Sequence, residues 1–241
     1  MLRIFKLAMN IFEELKKANI EIVNKNLAFN TFGNVSARYK KDFFIIKPSG
    51  INLNKTNSKK YPIINIKSEK KTGSFLNPSS DTLTHLEIYK AFPEVNAISH
   101  FHSEYACAWA QANKSIPILG TTHADYWKEA IPITDLIQKK HLDNNYERYT
   151  GKLIVQKLNS MNCSPLSCPG ILVPFHGPFV WGKDIEEVVN ISLLIEKIAK
   201  MAFLTLNLSK KNNFKLSKEI FQKHYLRKHG VNKYYGQNKK N

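Results

Sequence analysis

The stretch AISHFH, residues 97–102, places two histidines one residue apart at the end of an apolar run. We predict a β-strand over residues 95–102, in which every second side chain lies on the same face. Ile98, His100 and His102 would then share one face of a sheet, with the two imidazoles about 7 Å apart at Cα. Side by side, they can converge on one metal ion, although each could also be a hydrogen-bonded histidine near a sheet edge.

A third histidine closes a second apolar run. In GILVPFHGPFVWG, residues 170–182, His176 stands directly before a Gly-Pro pair that we interpret as a turn. Three histidines from strand ends are a ligand set of catalytic zinc, which leaves one coordination position open for substrate. His85 and His123 are also available, so spacing alone does not choose the third ligand.

Short apolar runs and helical patterns alternate along the chain without a strict strand–helix–strand rhythm. The first 23 residues have apolar positions at helical spacing, and residues 81–92 are expected to form a helix capped by Ser80 or Asp81. Further helices are expected from residue 103 through Trp109, over 184–206 and around 218–229. No long linker separates these elements, so we expect a single α/β domain.

The net charge of +17 comes from 36 basic and 19 acidic residues. Of the basic residues 32 are lysine and four are arginine, and asparagine occurs 24 times, a pairing that indicates a nucleotide-biased genome. Specific readers of nucleic acid depend on the forked donors of arginine, so we expect no nucleic-acid partner. Residues 207–241 contribute +9, and such a field would also attract an anionic small substrate.

Two features argue against secreted and membrane proteins. The first apolar run is interrupted by Lys6 and Asn10, whereas a signal peptide needs an uninterrupted one, and no run approaches the ~18 apolar residues of a membrane span. The three cysteines, Cys107, Cys163 and Cys168, are too few for a disulfide framework and fit a reducing compartment. We therefore expect a cytoplasmic protein without a membrane partner.

Three polar turns supply groups that bind anions. They are TFGNVS (31–36), KPSG (47–50) and NPSSDT (77–82), and they offer backbone N–H groups, hydroxyls and a lysine. The last of them precedes a predicted helix, whose N-terminus favours negative charge. Each turn alone is ordinary. Together with a trihistidine metal site they predict a phosphorylated substrate.

At this point the motifs resemble the class II aldolase/adducin family. The likeness runs in order from about residue 4 to residue 237 through the segments FGNVSAR, KPSG, PSSDTLTHLEIYKAFPEVNAISHFHSEYACAWAQA, GTTHADYW, HGPFVWGK and KHYLRKHGVNKYYGQ. The H-x-H and H-G-P motifs are generic to the family, whereas SSDTxTH, GTTHADY and YYGQ resemble its L-ribulose-5-phosphate 4-epimerase branch. Asp81 stands where related aldolases typically carry glutamate, which favours the epimerase.

The resemblance implies an α/β fold of three layers (αβα), with a central mixed, mostly antiparallel sheet flanked by helices. It implies one domain over residues 1–237, to which we add the expectation of a disordered basic tail over 238–241. The family's sites lie between the subunits of a cyclic homotetramer.

For the chemistry, the resemblance implies Zn²⁺ on His100, His102 and His176, with Asp81 as a further ligand and Mn²⁺ or Co²⁺ as substitutes. L-ribulose 5-phosphate and D-xylulose 5-phosphate would interconvert by retro-aldol cleavage of C3–C4, rotation of the glycolaldehyde fragment and re-addition to the enolate. Asp125 and Tyr235 would exchange protons with the C4 oxygen on opposite faces.

The resemblance to the family also implies two groups of substrate-binding residues in this chain. The first group lines the polar turns and comprises Gly33, Asn34, Lys47, Ser49, Gly50, Ser79 and Ser80. The second group comprises Thr121 and His224, which would reach in from the neighbouring chain together with the catalytic Asp125.

Two alternatives stay open. One is a class II aldolase of the same fold that cleaves a related sugar phosphate, such as L-fuculose or L-rhamnulose 1-phosphate. The other is a non-catalytic, adducin-like binding module, which would be expected to lose the metal ligands. Phe101 departs from the family pattern, where a small polar residue is expected, and Cys163 and Cys168 have no assigned role.

Overall fold

The computed structural model describes residues 2–52, 57–143, 145–209, 214–231 and 234. One sheet is formed by the strands β1 (Asn34–Tyr39), β2 (Phe43–Ile46), β3 (Ile63–Asn65), β4 (Lys71–Thr72), β5 (Ala97–His100), β6 (Gly170–Val173) and β7 (Gly177–Gly182). Their order across the sheet is β4-β3-β2-β1-β5-β7-β6. Each ladder between these strands is antiparallel, and one isolated parallel bridge joins Ile133 to Leu172.

The described residues form the helices α1 (Leu2–Asn24), α2 (Thr82–Ala91), α3 (Glu104–Gln111), α4 (Thr121–Ala124), α5 (Tyr146–Ser160), α6 (Ile185–Leu208) and α7 (Lys218–His229). Two of them begin at the capping residues expected of a helix start. Asp184 accepts a hydrogen bond from the N–H of Glu187 at 2.8 Å, and Ser217 accepts one from Ile220 at 3.3 Å. No helix in this part of the chain is long and apolar enough to cross a membrane.

Helices cover both faces of the sheet. On one face α6 packs against α1, α3, β5 and β7. On the other, α2 packs against α5, and the hydroxyl of Ser36 in β1 lies 2.7 Å from Nδ1 of His85 in α2. The three-layer α/β fold, with a central and mostly antiparallel sheet, is therefore confirmed.

The strands β6 and β7 are buried on both sides because both faces of the sheet are covered. Every residue of these two strands is buried, including Trp181 and Phe179, which are fully inaccessible to solvent. Buried strands of this kind have continuous apolar runs rather than alternating ones. This part of the sheet is consequently a rigid base for side chains at its strand ends.

Two local predictions were wrong in detail. β5 ends at His100, and His102 follows it in the link to α3, with its N–H bonded to the carbonyl of Leu27 at 3.1 Å. His176 lies in the turn between β6 and β7, and Gly177 opens β7 rather than a turn. Residues 238–241, the predicted tail, lie outside the described residues.

Candidate active site

The imidazoles of His100, His102 and His176 meet at one end of β5 and β7. One nitrogen from each ring lies within 4.8 Å of the other two. Nε2 of His100 is 2.9 Å from Nε2 of His102, and the ring centroids of His100 and His176 are 4.4 Å apart. The structure thus places together the three histidines named from the sequence, and it places His85 and His123 outside this cluster.

Two contacts orient the ring of His100. Its Nδ1 lies 3.0 Å from the carbonyl oxygen of Pro178 and donates to it, since a carbonyl can only accept. Nε2 then keeps its lone pair, the arrangement usual for a metal-ligating histidine. The ring also stacks on Phe179 at a centroid distance of 4.2 Å. Strand pairing places Phe179 opposite His100, so the sheet itself sets the direction of this ligand.

Burial keeps the three histidines neutral. It lowers the pKa of His100 well below its ordinary value, and the neighbouring His176 and His102 lower that pKa further. Burial is also the main cause that lowers the pKa of His102 and of His176. Neutral imidazole is the form that binds metal, and three converging nitrogens with one open side fit a divalent ion such as zinc.

Asp81 lies at the first position before α2 but does not cap that helix through its side chain. The expectation that Ser80 or Asp81 caps α2 is therefore not met by Asp81, because its carboxylate is engaged elsewhere. Oδ2 accepts a hydrogen bond from Nδ2 of Asn34 at 2.7 Å, and Asn34 is paired with His100 across β1 and β5. The Asp81 charge acts to raise the pKa of His176 against the effect of burial.

Asp81 is not part of the cluster of nitrogens, so its role as a further ligand stays a prediction. Tyr146 was not singled out from the sequence, yet its hydroxyl lies 3.4 Å from Nδ1 of His176. No motif pointed to it, since α5 is positioned by its packing on α2 and on β6, which are distant in sequence.

The three polar turns come together beside Asp81. Pro48 and Pro78 form a bridge, the N–H of Ser79 donates to the carbonyl of Lys47 at 3.0 Å, and the N–H of Ser49 donates to Asn77 at 2.9 Å. The turn that contains Gly33 joins them, because the ammonium of Lys47 donates to the carbonyl of Gly33 at 2.9 Å. Ser80 and Gly50 lie at the exposed ends of the same two turns.

The backbone conformation and the close packing at position 33 require a glycine. Its φ is +73°, and a Cβ at this position would lie 2.9 Å from Cβ of Ala28 and 3.1 Å from the carbonyl oxygen of His100. A side chain would therefore push the turn away from β5, the strand that carries His100.

Lys47 is buried, with 4% of its surface exposed. Burial lowers its pKa to about 8, while the charge of Asp81 opposes this shift. The ammonium group also donates to the carbonyl of Thr31 at 2.5 Å. A lysine with this pKa is mainly charged at pH 7, so it contributes a positive charge beneath the turns.

The other predicted residues form a second cluster, around Asp125. Asp125 ends α4, which begins at Thr121, and its Oδ1 lies 3.2 Å from Nδ1 of His224 in α7. Among the described residues no hydrogen bond or ion pair connects Asp125 to the triad. Tyr235 lies outside the described residues.

Arg227 and His229 complete this cluster, and the sequence interpretation missed both. Nε and Nη2 of Arg227 donate to the two carboxylate oxygens of Asp125 at 2.9 and 2.7 Å, a bidentate fork. Nε2 of His229 donates to the backbone carbonyl of Asp125 at 2.8 Å. The scarcity of arginine was an available signal, since a chain of 32 lysines uses its four arginines selectively.

Solved structures with the same fold cover most of the chain. An L-fuculose 1-phosphate aldolase shares 20% identity at a TM-score of 0.72, with 89% of this chain and 94% of that chain covered. YgbL from Escherichia coli, described as a putative aldolase/epimerase/decarboxylase, shares 18% identity at 0.69, covering 90% and 98%. The L-fuculose-1-phosphate aldolase of Thermus thermophilus shares 16% at 0.65, covering 83% and 97%.

These likenesses establish the fold. A family assignment comes from the sequence match to the class II aldolase and adducin N-terminal domain, which extends over residues 13–203 and so covers well over half of the chain. The match includes the three histidines, Asp81 and Asp125. This chain belongs to the class II aldolase/adducin family.

Proposed function

We propose that the chain is a zinc-dependent L-ribulose-5-phosphate 4-epimerase. The observation that carries the proposal is the hydrogen bond between Asn34 and Asp81, which joins the two halves of the site. Asn34 is paired with His100 of the triad, and Asp81 follows directly on the turn of Ser79 and Ser80. A metal-type site and an anion-type pocket therefore lie side by side, as a phosphorylated ketose requires.

In this proposal the ion is held by the triad, with Asp81 beside it. When bound, a zinc ion supplies a Lewis acid that polarises the ketose carbonyl. The carbonyl of Pro178 keeps Nε2 of His100 directed at the ion through its bond to Nδ1.

The reaction balances without any external oxidant or reductant. The C4 hydroxyl loses its proton, the C3–C4 bond breaks, and its electron pair passes into the C2 carbonyl to give the enolate of dihydroxyacetone. Because the phosphate is on C5, the glycolaldehyde fragment is glycolaldehyde phosphate. Rotation of this aldehyde, bond formation on its other face and return of a proton to the C4 oxygen give D-xylulose 5-phosphate.

Asp125 and Tyr235 are the proposed groups that take and return this proton. General acid–base catalysis of this kind contributes about 10²- to 10⁴-fold. Within one chain the fork from Arg227 holds both oxygens of Asp125. We propose that Thr121, Asp125 and His224 serve the triad of a neighbouring subunit in a homotetramer.

The phosphate is assigned to the three turns. The N–H groups of Gly50 and Ser80 and the hydroxyls of Ser49, Ser79 and Ser80 would bind its oxygens, with Asn34 and Gly33 shaping the inner wall. The N–H groups of Ser49 and Ser79 instead join the two turns to each other. Lys47 supports the pocket with a buried positive charge. Since burial lowers its pKa to about 8, this charge is lost above that pH.

A second candidate is an aldolase of the same family that releases its products. It is favoured by the engagement of Asp125 with Arg227, because an aldolase needs proton transfer on one face only. Its substrates, such as L-fuculose or L-rhamnulose 1-phosphate, carry the phosphate on the enolate fragment. The two candidates therefore differ in which fragment the phosphate pocket retains.

The test is an assay of the purified protein on L-ribulose 5-phosphate, with and without a metal chelator. We expect chelator-sensitive formation of D-xylulose 5-phosphate with little free glycolaldehyde phosphate. Release of dihydroxyacetone and glycolaldehyde phosphate as the main products would contradict the epimerase. Cleavage of a ketose 1-phosphate instead would establish the aldolase, and a metal-loaded protein inactive on both would contradict the two candidates together.

A further inference from the structure

We infer that Glu196 is a positioning residue for the metal site, which fixes the backbone that carries His102. The inference rests on the proposed metal site but concerns a residue far from it in sequence, on the other side of the sheet. Glu196 belongs to α6, and it reaches the segment that leaves β5 immediately after His102.

Glu196 makes three hydrogen bonds to this segment. Oε2 accepts from the hydroxyl of Ser103 at 2.6 Å and from the N–H of Ala106 at 2.9 Å. Oε1 accepts from the N–H of Tyr105 at 3.0 Å. Both carboxylate oxygens are therefore engaged by the first turn of α3, and one of the donors is the residue next to His102.

These contacts replace the usual cap of α3. Ser103 occupies the N-cap position, yet its side chain accepts no capping hydrogen bond. A serine at this position ordinarily accepts from the second or third N–H of its helix. Here Glu196 takes both of those N–H groups, and Ser103 donates to Glu196 instead. A negative carboxylate at a helix N-terminus also interacts favourably with the helix dipole.

His102 depends on such support more than His100 does. His100 is the last residue of β5 and is held by strand pairing, whereas His102 lies two residues beyond the strand. Its own N–H is bound by the carbonyl of Leu27, and the next anchor along the chain is the Glu196 contact at Ser103. Loss of that anchor would free the His102 backbone on its C-terminal side.

The part of α6 that carries Glu196 is packed firmly against the core. Ile195 and Ala199, on either side of Glu196 in α6, are fully buried. The same two helices are joined again by Nε1 of Trp109, which donates to the carbonyl of Ala199 at 3.0 Å. Trp109 is a matched control, because it connects α3 to α6 away from the N-terminus of α3 and away from His102.

The experiment compares Glu196→Gln with Trp109→Phe in otherwise intact protein. Glutamine has the size of glutamate but lacks the charge and one acceptor oxygen. Phenylalanine stays aromatic but lacks the indole N–H together with part of the fused ring. Each apo protein is titrated with Co²⁺ and Zn²⁺ in competition with a chelator of known affinity, and the visible absorption of bound Co²⁺ reports its coordination. Ser103→Ala, which removes one of the three bonds, is the second variant in case Glu196→Gln fails to fold.

We expect Glu196→Gln to bind both metals about tenfold more weakly, in the range seen when outer contacts of a metal ligand are lost. The Co²⁺ absorption of this variant should also change, since the geometry of the ligands determines it. Ser103→Ala should show a smaller loss in the same direction. Trp109→Phe should bind metal within twofold of the unmodified chain, even where its melting temperature falls.

Unchanged affinity and absorption in Glu196→Gln would overturn the inference, as would equal losses in Glu196→Gln and Trp109→Phe, which would indicate general packing. Should Glu196→Gln not fold, unchanged affinity in Ser103→Ala would overturn it as well. A failure of the proposed metal site is separate, because then the unmodified chain and His102→Ala would bind metal alike. A failure of the epimerase assay alone would leave the metal titrations unaffected.

Discussion

Around His100 the predicted ligands come from β5, from the segment that follows it and from the turn that precedes its neighbour β7. Around Asp125 the partners come from a surface helix. β5 and β7 are buried throughout, and His100 itself is 1% exposed. In α7, which the structure describes from end to end, no residue is buried. α7 is held near α4 mainly through the polar contacts of Asp125 with His224, Arg227 and His229.

The difference between the two regions matches two different requirements, metal binding and proton transfer. A metal ion needs ligands held at fixed positions, and a buried sheet provides them through backbone pairing and close packing. A group that exchanges protons with a rotating aldehyde has to be reached by substrate, and Asp125 is buried against α7, with 8% of its surface exposed. Segments with few buried contacts and exposed hydrogen bonds are the ones that open most easily. We therefore expect substitutions in the first region to act through the metal and those in the second through proton transfer.

Substitution of His102 by alanine should have the largest effect. We expect turnover to fall by about 10³-fold or more, because a metal Lewis acid supplies several kcal/mol and each 1.36 kcal/mol is a factor of ten. Folding should be retained, since His102 is only partly buried. Metal analysis and circular dichroism test this together. His141→Ala, outside the triad, is the control, and near-normal activity of His102→Ala would remove His102 as a ligand.

Asp125→Asn should come next. We expect kcat to fall by about 10²-fold through the loss of general acid–base catalysis, with metal content unchanged. Kinetics and metal analysis of the same preparation distinguish the two regions. Asp143→Asn, at an exposed position outside both clusters, is the matched control. Loss of metal in Asp125→Asn would show that the regions are not independent.

Arg227→Lys tests how α7 is held. Lysine keeps the charge but cannot form the fork to both oxygens of Asp125. We expect α7 to open about tenfold more often, from the loss of one strong hydrogen bond, as measured by amide hydrogen exchange. Lys223→Arg in the same helix is the control. Unchanged exchange in α7 would mean that contacts other than this fork hold the helix.

The smallest expected effect is a dependence of stability on acid. His123, in α4 beside Asp125, is buried, and burial lowers its pKa to about 4. Between pH 6.5 and about 4 the unfolded chain then binds a proton that the folded chain does not, so the free energy of unfolding falls as pH falls. The slope from this residue is at most about 1.4 kcal/mol per pH unit.

Denaturant unfolding at several pH values measures that slope. His123→Asn should flatten it, because asparagine does not titrate. A slope unchanged in His123→Asn would contradict the assignment, and the acid sensitivity would then arise elsewhere in the chain.

The sequence by itself was sufficient to predict most of the helices and strands and the kinds of residue that form the candidate site. The H-x-H spacing and the strand-end position of His176 predicted a metal site, and the three histidines do meet. The three polar turns lie together, through the bridge of Pro48 with Pro78 and the bond from Lys47 to Gly33, and their role as an anion pocket stays a prediction. Short-range periodicity suffices for these predictions, because strand alternation and turn chemistry act over a few residues.

Only the tertiary structure decided how these parts are connected. Asp81 could cap α2 or bind Asn34, and the approach of β1 to α2 decided for Asn34. Arg227 lies 102 residues from Asp125, and Glu196 lies at least 90 residues from the groups that it binds. No local sequence pattern predicts contacts over such separations. Sequence spacing fixes which side chains share a strand or helix face, but contacts between distant segments depend on how all layers pack against one sheet, and that is decided only when the chain has folded.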